Sequence, residues 1–319
     1  MRARKKISKW ILISGIGLAF CLGLGAGAAA SAEGIPGDFD GNGFVNAQDI
    51  PLARKYLVGA YEAGFSIADA NEDGKADVAD LVWLKKKHYG TYPVSSTSDL
   101  TSVTAKQNTD VYDVTEVTEG NYQALQATFT GQWPKFTFQS EQLKDLAAFD
   151  YLTIRYKISY SASGGSVGIQ GTTGNVYNGA TSTKTEDGWT VATWRKDSTV
   201  GANIFPYVKE KGIVEICVYA WAGANDPSVT TTITVAEMIG GYDDVTSDGE
   251  TAIDLTEEFG LTAEELTAAF TPAGGSAQEV SDVTSFVPEE SGVLTLTVNK
   301  TGYYQTQIQL NVSVGDQTE

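Results

Sequence analysis

One twelve-residue pattern occurs twice near the start of the chain, and the two copies begin 31 positions apart. The copies are DFDGNGFVNAQD at 38–49 and DANEDGKADVAD at 69–80. Each carries Asp or Asn at positions 1, 3, 5 and 9, Gly at position 6 and Asp at position 12. Alternating oxygen-bearing side chains on a tightly turning loop are the ligands that Ca²⁺ prefers. A solvated turn could explain one copy, but two in the same register, each followed by a helix-like stretch, predict a pair of calcium loops.

The position of each residue in the loop predicts its role. Positions 1, 3, 5 and 12 supply side-chain oxygens, position 7 supplies a backbone carbonyl, and position 9 acts through water. The first site thus comprises Asp38, Asp40, Asn42, Phe44, Asn46 and Asp49, and the second comprises Asp69, Asn71, Asp73, Lys75, Asp77 and Asp80. Aspartate at position 12 is shorter than the glutamate of the usual calcium loop, so it must approach the ion more closely.

The stretch from about Gly37 to Gly90 resembles a type I dockerin, the module that attaches cellulosomal proteins to cohesins on a scaffold protein. The resemblance rests on GDFDGNGFVNAQDIPLARKYLVG and ADANEDGKADVADLVWLKKKHYG. Aspartate at position 12 and the lack of a helix before the first loop match dockerins better than calmodulin-like EF-hands. The resemblance implies a small α-helical domain, assigned here to 33–90, that holds two Ca²⁺ ions and binds a cohesin.

In dockerins, positions 10 and 11 and a basic pair further along the helix face the cohesin. The matching residues are Ala47, Gln48, Arg54 and Lys55 in the first copy, and Val78, Ala79, Lys85 and Lys86 in the second. The Ser-Thr pair common at positions 10 and 11 is missing from both copies, so the resemblance does not identify the cohesin type. A solvated helix face is the alternative interpretation of the basic residues. Pro51 lacks a backbone donor, which predicts a late start or a kink in the first helix.

Residues 1–32 have the features of a signal peptide: a basic start, an apolar stretch from Trp10 to about Leu24, and small residues at 30–32. An uncleaved anchor is the alternative. These residues hold five basic and no acidic side chains, so removing them changes the net charge from −18 to −23. Such a charge disfavours nucleic acid and anionic membranes as partners. We expect the protein to be secreted and extracellular, associated with a cellulosome or with a cell surface. After cleavage of the signal peptide it is expected to have no membrane attachment and to be a monomer. Only Cys217 remains after cleavage, which excludes an intramolecular disulfide.

The middle of the chain is rich in Thr, Val, Tyr and Ile with frequent strand signals. Residues 91–99 are expected to be a linker, and 100–242 an all-β antiparallel sandwich. In the segment LTIRYKISY, at 152–160, apolar and polar side chains alternate along the chain. Further strands are predicted at 122–130, 135–139, 189–195, 213–221 and 230–238, with a short helical turn at 142–149.

A second linker is expected at 243–250, followed by a small Ig-like, mostly β module at 251–319. Its sequence predicts a helix at 261–270, with Thr262 as N-cap and Glu265 completing a capping box. Strands at 292–299 and 303–314 flank a hairpin turn at 300–302.

The order of elements in the middle region resembles a jelly-roll carbohydrate-binding module. The resemblance rests on DYLTIRYKIS, DGWTVATWRKD, EICVYAWAG and TTITVAEMIGG. Sugar rings bind flat apolar faces, and aromatic residues on an outer sheet face or in loops are therefore the candidates: Trp221, Tyr219, Trp133 and Tyr177. The alternative is that these aromatic residues pack in the core.

Three functions fit the sequence. The first is a non-catalytic cellulosome component that binds a plant polysaccharide and supports its degradation. The second is a glycoside hydrolase, which would need two carboxylates beside the bond that it cleaves. Glu141, Asp145, Glu210, Glu215 and Asp226 are available, although no motif joins any two. The third is a structural or adhesive spacer. The only histidine, His88, lies inside the dockerin-like stretch, so a serine triad elsewhere is excluded.

Overall fold

The computed structural model describes residues 34–46, 48–97, 100–106, 113–130, 132–160, 166–172, 177–219 and 230–315. The predicted signal peptide, Ala47, Trp221 and Asp226 lie outside these ranges. The described residues belong to one compact unit.

The first part of the chain is helical, with α1 at Asp49–Leu57, α2 at Phe65–Ala68 and α3 at Val78–Lys87. Helix α1 begins at the last residue of the first predicted calcium loop, and α3 begins two residues before the end of the second. The predicted late start of the first helix is wrong, because Pro51 lies in its first turn, where backbone N–H groups have no partner within the helix. Leu81 and Leu84 are buried in a small core between the helices.

The middle part is a sandwich of two sheets. The seven-stranded sheet has the order β3 (Asp113–Glu119), β4 (Tyr122–Thr130), β12 (Thr230–Gly241), β6 (Tyr151–Tyr160), β10 (Trp189–Arg195) and β9 (Ser182–Glu186), and β1 (Thr91–Pro93) also pairs with β12. The five-stranded sheet has the order β2 (Leu100–Lys106), β5 (Gln132–Gln139), β11 (Ile213–Tyr219), β7 (Ser166–Gln170) and β8 (Tyr177–Gly179). All pairs in both sheets are antiparallel. The predicted antiparallel sandwich is therefore confirmed.

The core of the sandwich lies between the two sheets. Phe129 of β4 and Phe136 of β5 meet edge to face across it, with ring centroids 5.6 Å apart. Two helices, α4 (Glu141–Leu146) and α5 (Gly201–Lys211), bury Leu143, Leu146, Ile204 and Val208 in the same core. The sequence predicted α4 as a short helical turn, and α5 was not predicted.

The C-terminal part is mostly β, as predicted. One five-stranded sheet has the order β13 (Val245–Ser247), β17 (Thr306–Val314), β16 (Gly292–Val298), β14 (Leu266–Pro272) and β15 (Gln278–Glu279), and β13 runs parallel to β17. The predicted hairpin is confirmed as β16 and β17. The helix predicted at 261–270 is wrong. The helix of this part, α6, spans Leu255–Phe259, and Leu266 and Ala268 alternate into the core as part of β14.

Neither predicted linker separates the parts. The first linker begins with β1, in which Tyr92 pairs with Met238, and the second contains β13. A chain of aromatic contacts joins all three parts. Tyr89, after α3, lies 5.0 Å from Phe149 and 5.4 Å from Tyr303 between ring centroids. Phe149 in turn contacts Tyr242, which packs on Phe259 of α6. The sandwich and the C-terminal part thus share one continuous hydrophobic core, which Tyr89 joins from the end of the helical part. Leu81 and Leu84 belong to a separate, smaller cluster between the helices.

His88 lies at this junction, and its environment predicts a pH effect on stability. Its Nδ1 donates to the Tyr89 carbonyl at 2.9 Å, its Nε2 has no partner among the described residues, and burial lowers the pKa of the ring to about 4. In the unfolded chain the His88 ring takes up a proton with a pKa of about 6.5. The free energy of unfolding therefore decreases as the pH falls from about 6.5 towards the folded-state pKa. Urea unfolding should show a loss of about 2 kcal/mol from this group between about pH 7.5 and about pH 5. His88→Asn should remove that part of the loss, and equal pH dependence in both proteins would contradict the assignment.

Candidate functional site

The first calcium loop is organised by the carboxylate that ends it. One oxygen of Asp49 accepts from the backbone N–H groups of Phe39 at 2.7 Å and Asp40 at 3.2 Å, and the other accepts from Asn46 at 2.6 Å. Asp49 therefore joins the start of the loop to its end. The side chain is fully buried, and this burial raises its pKa to about 6.

The start of the loop brings further oxygens to the same place. Asp38 accepts from the backbone of Gly41, Asn42 and Gly43 at 2.9–3.1 Å. Gly43 has φ of 89°, a backbone conformation that residues with a side chain rarely adopt. Asp38, Asp40 and Asp49 each offer an oxygen within 4.8 Å of the others. These oxygen donors fit a hard divalent cation such as Ca²⁺.

The second loop repeats this arrangement. Asp80 accepts from the backbone of Asn71 at 3.1 Å and Asp77 at 2.7 Å, and its pKa is raised by burial. Asp69 accepts from Asp73 and Gly74, both at 3.0 Å, and Gly74 has φ of 85°. The side chain of Asp77 caps α3 by accepting from Ala79 at 2.7 Å. Position 12 of each loop therefore closes the loop from within the first turn of a helix.

Two oxygen-rich loops, each leading into a helix, define a paired calcium-loop domain. Residues 36–87 match the family described as dockerin type I domain, and this part of the chain is such a domain. Type I dockerins bind calcium, and the acidic cluster of the first loop agrees with this property.

No curated protein matches the chain. Among solved structures it is similar to the adhesin domain of Epf from Streptococcus pyogenes, with 11% identity, a TM-score of 0.27, and coverage of 61% of this chain and 79% of that one. Among the described helices, none has the length and apolar character needed to cross a bilayer.

Two of the residues predicted to face a cohesin instead contact the sandwich. Lys85 of α3 forms an ion pair with Glu237 of β12, and Arg54 Nη2 of α1 lies 3.7 Å from the same carboxylate. Arg155 of β6 donates from Nε to the other Glu237 oxygen at 3.0 Å. Lys85 is only 5% exposed. The prediction that Lys85 forms a partner surface is therefore corrected, because its charge is neutralised inside the molecule.

The ring of Tyr122 completes this cluster. The charged groups of Arg54, Lys85 and Arg155 lie 4.7, 5.0 and 4.7 Å from its centroid. Burial lowers the pKa of Lys85 to about 8. Burial alone would raise the pKa of Glu237, but the surrounding cations, Lys85 foremost, outweigh that effect and lower it. We name these five residues the Glu237 cluster.

The other residues predicted for the cohesin surface divide by helix. Gln48, which precedes α1, and Lys55, which lies within it, are exposed. Their counterparts on α3, Ala79 and Lys86, are half-buried, as is Val78.

Of the four residues predicted to bind sugar, Trp221 lies outside the described residues, and the other three fall on strands of the five-stranded sheet of the sandwich. Tyr177 in β8 is half-buried, its hydroxyl donates to Glu215, and Lys135 Nζ lies 4.8 Å from its ring centroid. Trp133 lies in β5 and Tyr219 in β11, neighbouring strands, but their side chains are outside the description.

The described carboxylates considered for hydrolysis are each engaged. Glu141 pairs with Lys144, Glu210 with Lys211, and Glu215 with Lys135. Asp145 accepts from the Tyr303 hydroxyl at 2.6 Å, across the junction with the C-terminal part.

Proposed function

We propose that the protein is a secreted, non-catalytic component of a cellulosome, anchored by its dockerin and binding a plant polysaccharide through its sandwich. The paired calcium loops carry the anchoring part, because both copies hold equivalent oxygens in equivalent geometry. The dockerin domain at 36–87 supports a cohesin as the partner. We assign one Ca²⁺ to each loop.

The outer face of the five-stranded sheet of the sandwich is our candidate for polysaccharide binding. Tyr177, Glu215 and Lys135 place an aromatic ring beside a carboxylate and an ammonium group. The other two candidates, Trp133 and Tyr219, belong to β5 and β11, the strands that carry Lys135 and Glu215. Aromatic rings with polar groups at their edges are suited to sugars.

Affinity electrophoresis of the full chain in gels that contain soluble plant polysaccharides tests this assignment. Retardation is expected for the wild type and should be lost or strongly reduced in Tyr177→Ala and Trp133→Ala. Phe65→Ala is a matched control, because Phe65 is 58% exposed and lies in the dockerin. Unaltered retardation in both sheet variants would reject this face, and release of reducing sugar by the wild type would favour the hydrolase hypothesis.

A further inference from the structure

The two dockerin repeats are similar in sequence but differ in what covers them. Arg54 and Lys85 are equivalent residues, 31 positions apart, and both contact Glu237 of the sandwich. Equivalent helix faces would normally be equally available to a partner. Arg54 and Lys85 also both lie over the Tyr122 ring, and the contacts that distinguish the two helices fall on α3.

The C-terminal part and the sandwich both hold α3. Trp83 packs edge to face on Tyr304, with centroids 5.1 Å apart, and the Tyr304 N–H donates to the Lys87 carbonyl at 2.8 Å. From the sandwich, the side chain of Gln142 donates to the Lys86 carbonyl at 2.8 Å. Helix α3 is thus fixed along its second half.

The outer side of α1 is open by contrast. Gln48, Pro51, Lys55 and Val58 are spaced three or four residues apart, so they form one stripe along the helix, and all four are exposed. Val58 is 63% exposed, the highest value among the exposed large apolar residues of the described chain. We name these four residues the α1 stripe.

The glycines that follow the two helices show the same difference. Gly59 after α1 is exposed, and a Cβ built there would meet no atom within 4 Å. Gly90 after α3 is buried, and a Cβ there would lie 2.8 Å from the ring of Phe149. The end of α3 is therefore packed against the sandwich, whereas the end of α1 is open to a partner.

We propose that this chain offers one helix face, the α1 stripe, to its cohesin and uses α3 as an internal attachment to the sandwich. The inference rests on the proposed function. The stripe fits a partner surface with an acidic group opposite Lys55 and an apolar contact for Val58. Binding through α3 would first require release of Lys85 from the Glu237 cluster.

Matched charge reversals at equivalent positions test the proposal. A cohesin that the wild-type chain captures in the presence of calcium is titrated against Lys55→Glu and Lys86→Glu in the full chain. We expect Lys55→Glu to weaken binding about tenfold or more, and Lys86→Glu to change it by less than about twofold. Equal losses, or a larger loss for Lys86→Glu, would overturn the proposal. Circular dichroism in calcium checks that both variants are folded.

A second measurement separates this inference from the proposed function. If no cohesin in a broad panel binds the wild type, cohesin binding itself is contradicted, but the covering of α3 can still be tested. Brief acetylation of the calcium-loaded full chain, read by mass spectrometry, should modify Lys55 rapidly and Lys85 slowly. Glu237→Gln should speed modification of Lys85 and leave Lys55 unaffected. Equal modification of Lys55 and Lys85 in the wild type would refute the internal attachment.

Discussion

Replacement of Glu237 by Gln should lower the free energy of unfolding by about 3–5 kcal/mol, because it removes one partner of a buried charge network. Glu237 is 1% exposed and is the carboxylate shared by Arg54, Lys85 and Arg155. Glutamine keeps the size of the side chain but loses its charge, which leaves the cations facing one another. Chemical denaturation at fixed calcium and neutral pH measures the loss.

Glu186→Gln is the matched control for this prediction. Glu186 also pairs with Arg155, at 3.1 Å, but its side chain is 39% exposed, so the expected loss is below about 1 kcal/mol. Adding Lys85→Met to Glu237→Gln should recover part of the loss, because it removes a buried cation that has lost its partner. Similar losses for Glu237→Gln and Glu186→Gln would show that burial does not set the strength of these pairs.

Calcium removal should produce the second large effect. A ligand that binds only the folded state, at a concentration about a thousandfold above its dissociation constant, adds about 4 kcal/mol per site. Because the loops end in the first turns of α1 and α3, chelation should also reduce helix content. Thermal unfolding with calcium and with a chelator, followed by circular dichroism, measures both effects.

Matched variants assign the two calcium ions to their loops. Asp49→Asn and Asp80→Asn neutralise the same position in the two loops, so calorimetric titration should find one ion lost from each variant and two bound by the wild type. Asp248→Asn is the control, because Asp248 is an acidic residue far from both loops in the sequence, and its carboxylate accepts from the Thr251 N–H in a C-terminal turn. Identical unfolding in calcium and in chelator would exclude a structural role for the metal.

Local patterns in the sequence predicted most of the β structure and the geometry of the loops. Strand-forming composition predicted β4 and β10 with their observed bounds, and alternation of apolar and polar side chains at 152–160 predicted β6. The same approach failed for 261–270, where the spacing of apolar residues suited a helix and tertiary pairing with β16 selected a strand. The twelve-residue repeat predicted the loops because each ligand position has a fixed chemical role.

The Glu237 cluster could not be predicted from local patterns, because its members come from two helices and three strands. One signal was present: Glu237 is the only charged residue in the twelve residues of β12. A single charge in an apolar strand indicates a buried partner, but the partner's identity depends on how the dockerin packs on the sandwich. Local sequence also could not show that Arg54 and Lys85 face the sandwich, so the basic pairs were predicted to face a partner.

The aromatic contacts from Tyr89 through Phe149 and Tyr242 to Phe259 have a mechanical consequence for attachment to a scaffold. A module on a flexible tether samples many directions around its anchor point. In this chain the dockerin and the sandwich are packed against each other and rotate as one body. The orientation in which the dockerin binds its partner therefore also sets the direction in which the sandwich faces.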